Sequence, residues 1–252
     1  MKIGIMSAME QEIGLLRRGL DKPRHEMHGK RQYTAGLFHD REVITVFSRW
    51  GKVAAASTAT TLIDRYGVDM IIFTGVAGAI DPSLNIGDIV VATDTVQHDM
   101  DVSILPEFSR FEIPLLKKSH FSVEPRFVSL GTDSARSFIK KYLHERIPDK
   151  TRQQFGMSEP SVNTGLIASG DHFVADSQKV RELRDALPDL KCVEMEGAAV
   201  AQVCYEHQIP MVLLRVISDK ADHDAMIDFS AFVQDVACQM TCGIVEELIK
   251  RV

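Results

Sequence analysis

Apolar residues recur along this chain in two alternating rhythms. Continuous runs at residues 2–6, 69–73, 88–92, 164–168, 190–193 and 211–217 have the length and β-branched content of buried strands. Between them the apolar positions are spaced by three and four, which predicts helices. Met9, Ile13, Leu15, Leu16 and Leu20 form one such stripe and predict a helix over 9–20. Ser7, with Glu10 three positions on, has the form of a capping box for it. An Ala- and Thr-rich helix is predicted over 51–66, with side chains small enough for close packing. Further helices are predicted over 124–142, 177–187, 197–207 and about 229–250, the last with Asp228 near its start. Residues 31–37 and 42–47 alternate around His39–Asp40 and read as a hairpin. TGVAGA at 74–79 reads as a Gly-rich bend after a strand, where a backbone can approach a ligand closely. Between Pro106 and Asn163 the pattern fades apart from the 124–142 helix, and 147–160 reads as polar loop.

Alternating strands and helices argue an α/β fold with a largely parallel sheet, and the hairpin makes that sheet mixed. No linker, repeat or low-complexity tract divides the 252 residues, so one domain over 1–252 is expected. Composition changes this picture little. Hydrophobic residues make up 45% and charged residues 25%, an ordinary globular balance. A net charge of −6 gives no basic footprint for nucleic acid, and no apolar run reaches a membrane span. The N-terminal run leads straight into a polar helix and reads as a core strand, not a signal peptide. Cys192, Cys204, Cys238 and Cys242 lie in apolar contexts without metal-ligand spacing, and read as buried thiols of a cytoplasmic protein.

The candidate chemistry lies where charges meet strand ends. Glu194 and Glu196 bracket Met195 between the 190–193 strand and the 197–207 helix. Arg215 sits inside the 211–217 run, and Ser218–Asp219 close it. Charges there cost desolvation energy unless paired or used. Glu196 and Arg215 are either a structural ion pair or part of a site at the carboxyl ends of the strands. Glu12 comes from the first strand–helix junction, where a carboxylate also suits the helix dipole. The set holds no Ser/Cys–His nucleophile, metal cluster or P-loop. Isolated carboxylates and aromatics on loops suit acid/base cleavage of a neutral, hydroxylated, ring-containing substrate.

Several blocks together resemble the 5′-methylthioadenosine/S-adenosylhomocysteine nucleosidases of the purine nucleoside phosphorylase superfamily. They are KIGIMSAMEQE (2–12), GKVAAA (51–56), TGVAG (74–78), GDIVV (87–91), HDMDV (98–102), SGDHF (169–173), VEME (193–196) and RVISDKAD (215–222). The resemblance implies a three-layer sandwich with a central mixed, mostly parallel sheet flanked by helices. It implies that Glu12 activates the attacking water and that Asp219, positioned by Ser218, protonates N7 of adenine. Glu196 would bind the ribose hydroxyls with Met195 against the sugar, and Arg215 would sit close to Glu196. Phe173 would stack on adenine and the Val174 backbone would bond its edge. Ala77 and Gly78 would line the pocket beside the anomeric carbon, Met9 would join the substrate-binding set, and Phe229 would cover the 5′ substituent. No cofactor or metal is implied, and a homodimer is expected, with Ile104 and Leu105 reaching the partner. His98, Asp99 and Asp101 read as holding a turn or interface.

The chain departs from the family pattern in four places. Trp50 stands where a small aliphatic residue is usual near the 5′ pocket, and Arg49 replaces a small neighbour. Val76 stands where many members have Ser, and 107–163 is longer than in compact members. Three functions compete on this sequence. A hydrolase of methylthioadenosine, S-adenosylhomocysteine or a related 5′-modified adenosine (5′-deoxyadenosine and futalosine-type nucleosides included) fits Glu12. A phosphorylase would need cationic donors for phosphate, for which Arg49 is the one candidate. A non-catalytic nucleoside sensor could lose Glu12 or Asp219, yet both are present.

Overall fold

The computed structural model describes residues 1–221 and 229–252, so Asp222, the last residue of the 215–222 block, and Asp228 lie outside the described residues. In chain order the elements begin β1 (Lys2–Ser7), α1 (Glu10–Arg18), β2 (Asp21–His28), β3 (Arg31–Phe38), β4 (Arg41–Phe47), α2 (Lys52–Asp64) and β5 (Met70–Thr74). There follow β6 (Val76–Ala79), β7 (Ile89–Gln97), β8 (His120–Ser122), α3 (Pro125–Arg146), α4 (Asp149–Gln154), β9 (Val162–Ser169) and α5 (Ser177–Ala186). The chain closes with β10 (Leu190–Glu194), α6 (Gly197–His207), β11 (Met211–Asp219), α7 (Phe229–Phe232) and α8 (Cys238–Ile249). A π-helical segment, Val233–Ala237, joins the last two, so the helix expected over 229–250 is present but locally widened.

The strands form one mixed sheet in the order β2-β3-β4-β1-β5-β11-β6-β10-β9-β7-β8. Alternate residues of its central strands feed opposite faces, as the two-residue strand period requires. Ile3, Ile5, Met70, Ile72, Val212 and Leu214 pack with α1, α3 and α8 on one side. Ile71, Phe73 and Leu213 pack with α2 and α6 on the other, where Ala55 and Ala59 meet Val200, Ala201 and Cys204. The small side chains of α2 thus serve close helix–helix packing, and the three layers are those expected. No helix among the described residues is long and apolar enough to cross a membrane.

Two directions of strand meet in this sheet. The parallel set β4, β1, β5, β11 and β6 runs one way. The parallel set β10, β9 and β7 runs the other, because β10 lies antiparallel to β6. β7 also pairs antiparallel with β11, so the sheet curls until β11, β6, β10, β9 and β7 close on themselves. The consequence for function is positional. The carboxyl ends of β10 and β9 do not lie level with the end of β11; they face its last half.

Three local readings are corrected. Ser7 is not the N-cap of α1: Met9 occupies that position without a side-chain cap bond, and Glu10 pairs with Arg17 at 2.7 Å instead. The Gly-rich bend at 74–79 contains a strand, β6, wedged between β11 and β10. The polar stretch 147–160 contains the short helix α4.

Candidate active site

The loops after β1, β4, β10 and β9, the end of β11 and the strand β6 surround a cleft of about 700 Å³, part of it open to solvent. Its walls include Met9, Ala77, Gly78, Phe173, Val174, Met195, Glu196, Ser218, Asp219 and Phe229, all expected from the sequence to contact substrate. Ala8, Trp50, Val76, His172, Val193 and Glu194 complete them. Glu12 and Arg215 do not line the open space. Both are buried.

Asp219 owes its place to a bulge. β11 pairs Ile217 with Ala77 and then Asp219 with Gly78, so Ser218 is the extra residue. The Ser218 hydroxyl donates to Asp219 Oδ2 at 2.6 Å, and the Ala221 N–H donates to Oδ1 at 2.8 Å. Gly78 is needed for this approach, since a Cβ there would come within 2.9 Å of Asp219 Oδ1. The carboxyl is buried yet belongs to the cleft wall.

Glu12 is fully buried where β1 and β5 end. The hydroxyls of Ser7 and Thr74 both donate to its Oε2, Thr74 at 3.3 Å. Its Oε1 has no hydrogen-bonding partner among the described residues. Thr241 stands near, but its hydroxyl donates to the Ala237 carbonyl at 2.8 Å. Burial raises the carboxyl to about 7, against the Ser7 bond and the positive charge of Arg215. Ala8 and Met9, between its partner Ser7 and α1 in the chain, are cleft residues, as are Val76 and Ala77 just after its partner Thr74.

Glu196 sits at the start of α6 and accepts the Gly51 N–H on Oε1 at 2.8 Å. Its carboxyl is also raised to about 7, by burial and then by the charge of Glu194, with the Gly51 bond opposing. The loop after β4 is tied across the cleft a second time, the Lys52 N–H donating to Asp171 Oδ1 at 2.7 Å. Asp99 locks that tie, accepting from Lys52 Nζ at 2.6 Å and from the Asp171 N–H at 2.9 Å. His98 is buried against Gly170 in the same corner. His98 and Asp99 therefore hold the turn that carries Asp171–Phe173, while Asp101 bonds the nearby Ser103.

The partner of Arg215 differs from the expected one. Its guanidinium bonds Glu194, with Nη2 at 2.6 Å and Nε at 3.2 Å from Oε2, not Glu196. It also lies 4.3 Å from the Phe73 ring centroid. Glu194 is the better partner because its other demands are met in place. Its oxygens accept the N–H groups of Glu196 (3.1 Å) and Gly197 (2.9 Å) and the Ser169 hydroxyl, at the positive end of α6. This pair is almost completely buried, and removing one member of such a pair leaves an uncompensated charge. Sequence reasoning saw Glu194 only as a bracket around Met195; its position just ahead of a helix start was the available signal.

Phe173 is 42% exposed and meets Phe229 edge to face, centroids 6.0 Å apart. Val174 is buried beside it. Arg49 does not reach the cleft: its guanidinium donates to the Lys30 carbonyl at 2.5 Å.

A buried trio of carboxyls, an aromatic face and the close approach at Gly78, set where two strand directions meet in a closed mixed sheet, define a protein of the phosphorylase superfamily. The model of that superfamily matches residues 2–250. Within it, the chain belongs to the 5′-methylthioadenosine/S-adenosylhomocysteine nucleosidase family. It is 34% identical to a nucleosidase of that name from Bacillus licheniformis, over the full length of both. The Neisseria meningitidis nucleosidase, solved with methylthio-immucillin-A, superposes with a TM-score of 0.87 at 31% identity, covering 100% of this chain and 99% of that one. A futalosine hydrolase from Helicobacter pylori superposes at 0.83 with 30% identity, covering 100% and 98%.

Proposed function

We propose that this protein hydrolyses the N-glycosidic bond of 5′-modified adenosines, such as methylthioadenosine and S-adenosylhomocysteine, and releases adenine. The carrying observation is that Glu196 and Asp219 line one cleft with Phe173, and that Ala8 and Met9, just ahead of the helix carrying the buried Glu12, line it too. Glycosidic bonds break through an oxocarbenium-like state, with positive charge growing on the sugar. Glu196 at the ribose hydroxyls stabilises that charge. Adenine is a poor anionic leaving group, so Asp219 delivers a proton to N7 while Phe173 holds the ring and the Val174 backbone its edge. Met195 packs against the sugar, and Ala77 and Gly78 border the anomeric carbon. Glu12, with Oε1 free of partners among the described residues, orients and activates water. Arg215 acts through Glu194, holding the strand end from which Glu196 projects.

A phosphorylase is the weaker reading. Arg49 is engaged by Lys30 and Arg215 by Glu194, and phosphate would meet the Glu12 carboxyl. Incubation with methylthioadenosine is expected to yield adenine and free methylthioribose at the same rate with or without phosphate. A ribose 1-phosphate product would replace this reading with the phosphorylase. Tight binding with no adenine would replace it with a nucleoside sensor.

The chain acts as one domain over 1–252, without a cofactor, as a homodimer in the cytoplasm. Ile104, 92% exposed, and Leu105, 47% exposed, support the dimer, being apolar side chains on a turn that the protomer leaves uncovered. The four buried, unpaired cysteines support a reducing compartment. Sedimentation at micromolar concentration is expected to show a dimer; a monomer with full activity would remove that part of the proposal.

A further inference from the structure

The two oxygens of the Glu12 carboxyl are supported unequally. Oε2 accepts the hydroxyls of Ser7 and Thr74, while Oε1, also buried, accepts from none of the described residues. A buried carboxylate oxygen without a donor is costly once the group is ionised. One further hydroxyl is at hand, that of Thr241 on α8, which is fully buried. Burial raises Glu12, and Ser7, Arg215, Thr74 and then the Thr241 hydroxyl oppose the rise. Cys238, three positions before Thr241 on the same helix face, feels the same carboxylate. Its thiol is pushed up to about 11, by burial and then by the charge of Glu12. The π-helical segment ahead of α8 sets this face. The Cys238 N–H donates to the Val233 carbonyl five residues back, so Val233–Ala237 holds one residue more than an α-helical turn. One extra residue offsets the helix by roughly 100°. Phe229, ahead of the segment, can therefore line the cleft while Thr241, after it, faces Glu12. Ile13 and Leu16 of α1 share one core with Val236, Ala237 and Met240, which seats the two helices together.

The Thr241 hydroxyl donates to the Ala237 carbonyl at 2.8 Å, with the Cys238 carbonyl at 3.4 Å. A hydroxyl proton rotates to suit its acceptors. A hydrogen bond to an ionised carboxylate is roughly twice as strong as one between neutral groups, so ionisation of Glu12 gives the proton a better acceptor. We propose that Thr241 is a positioning residue for Glu12, its hydroxyl turning from the Ala237 carbonyl to Oε1 and holding the ionised carboxylate as the base that activates water. A carboxylate oxygen accepts about two hydrogen bonds, so Thr241 and the water share Oε1. Two other ionisable groups act on Glu12 among the described residues, Arg215 from β11 and Cys238 from α8. Arg215 is already engaged by Glu194, and Cys238, raised to about 11, stays neutral where Glu12 titrates. This inference rests on the nucleosidase reading. It goes beyond it by adding a side chain, on a helix that takes no part in holding base or sugar, that sets the pH at which the base is ready.

The test is the pH profile of kcat/KM for methylthioadenosine in the native protein, Thr241→Val and Thr241→Ser. Removing the donor leaves ionised Glu12 less stabilised, so its proton is held to higher pH. Thr241→Val should therefore move the acid limb up by roughly one pH unit, the scale of a hydrogen bond to a charged group. Thr241→Ser keeps the hydroxyl and should stay near the native limb. If Thr241→Val does not fold, Thr241→Ala removes the same hydroxyl and is read in the same way. An unmoved limb without the hydroxyl, or one moved as far by Thr241→Ser, overturns the proposal. If the native protein releases no adenine, the nucleosidase reading fails instead, and thermal unfolding still decides the contact. The donor matters only to the ionised carboxylate, so the Tm lost in Thr241→Val should be greater at pH 8 than at pH 5, by roughly 2–4 °C. In a Glu12→Gln background that difference between the two pH values should vanish. Equal losses at both pH values, or a difference that survives Glu12→Gln, overturn the assignment without any turnover.

Discussion

Asp219→Asn is expected to abolish adenine release while leaving the affinity for a non-hydrolysable analogue within a few-fold of the native value. The geometry gives the reason. Asn can keep its carbonyl oxygen toward the Ala221 N–H, and its amide can face Ser218, whose hydroxyl is able to turn and accept. The side chain therefore stays where the bulge puts it and can still donate to N7, but it cannot transfer a proton. An interaction made only in the transition state lowers kcat without weakening ground-state binding. The loss should be roughly 10²-fold or more, the usual contribution of a general acid. Glu196→Gln should differ, because ribose hydroxyls are bound before the bond breaks; KM should rise with the fall in kcat. Steady-state kinetics of both variants separates the roles. An Asp219→Asn enzyme keeping more than about a tenth of kcat would remove Asp219 as the acid.

Glu12→Gln should trade catalysis for stability, and the stability gain should depend on pH. Burial lifts the Glu12 carboxyl from 4.5 to about 7 in the folded protein. A group whose folded value is raised stabilises the fold below its unfolded value, and that contribution is lost as pH rises through the folded value. The native protein thus loses stability between about pH 4.5 and pH 7 through this group, and a shift of that size corresponds to roughly 3 kcal/mol at most. Glutamine carries no charge at any pH and can still accept from Ser7 and Thr74. Glu12→Gln should therefore match the native protein near pH 5 and exceed it at pH 8, at about 2–4 °C in Tm per kcal/mol for a chain of this size. Its kcat should fall roughly 10²-fold or more, since an amide cannot activate water. In the native enzyme kcat/KM should drop as pH falls below about 7, where Glu12 takes up its proton. Thermal unfolding at the two pH values is the check. A variant stabilised as much at pH 5 as at pH 8 would show that an ionised, buried Glu12 is not what costs the native fold its stability.

Most of the architecture is legible in the order of residues because a buried element carries its own signature. α6 spans Gly197–His207 as its Ala- and Val-rich pattern predicts, and β3 and β4 pair around His39–Asp40. The central strands alternate their contacts between two helix layers, as continuous apolar runs require. β2 is the instructive failure. All of Asp21–His28 is exposed, so it has no hydrophobic pattern to betray it and exists by backbone pairing with β3. β6 was hidden for a related reason. Its four residues, VAGA, look like a bend, and only the neighbours β11 and β10 make them a strand.

The sequence by itself determined which residues are candidates for the chemistry: carboxylates at strand ends, in blocks that resemble one family. It could not determine how they face each other. Strand direction is set by long-range pairing, and the opposed run of β10 and β9 is what brings Glu194–Glu196 level with the last half of β11. The side on which Asp219 emerges depends on one extra residue, Ser218, that only the register with β6 reveals. Two glutamates two positions apart competed for Arg215. Glu194 takes it because a charge is cheapest to bury where backbone N–H groups, a hydroxyl and a guanidinium already converge, leaving Glu196 to the cleft. That convergence is a property of three separate chain segments, and no local pattern of residues encodes it.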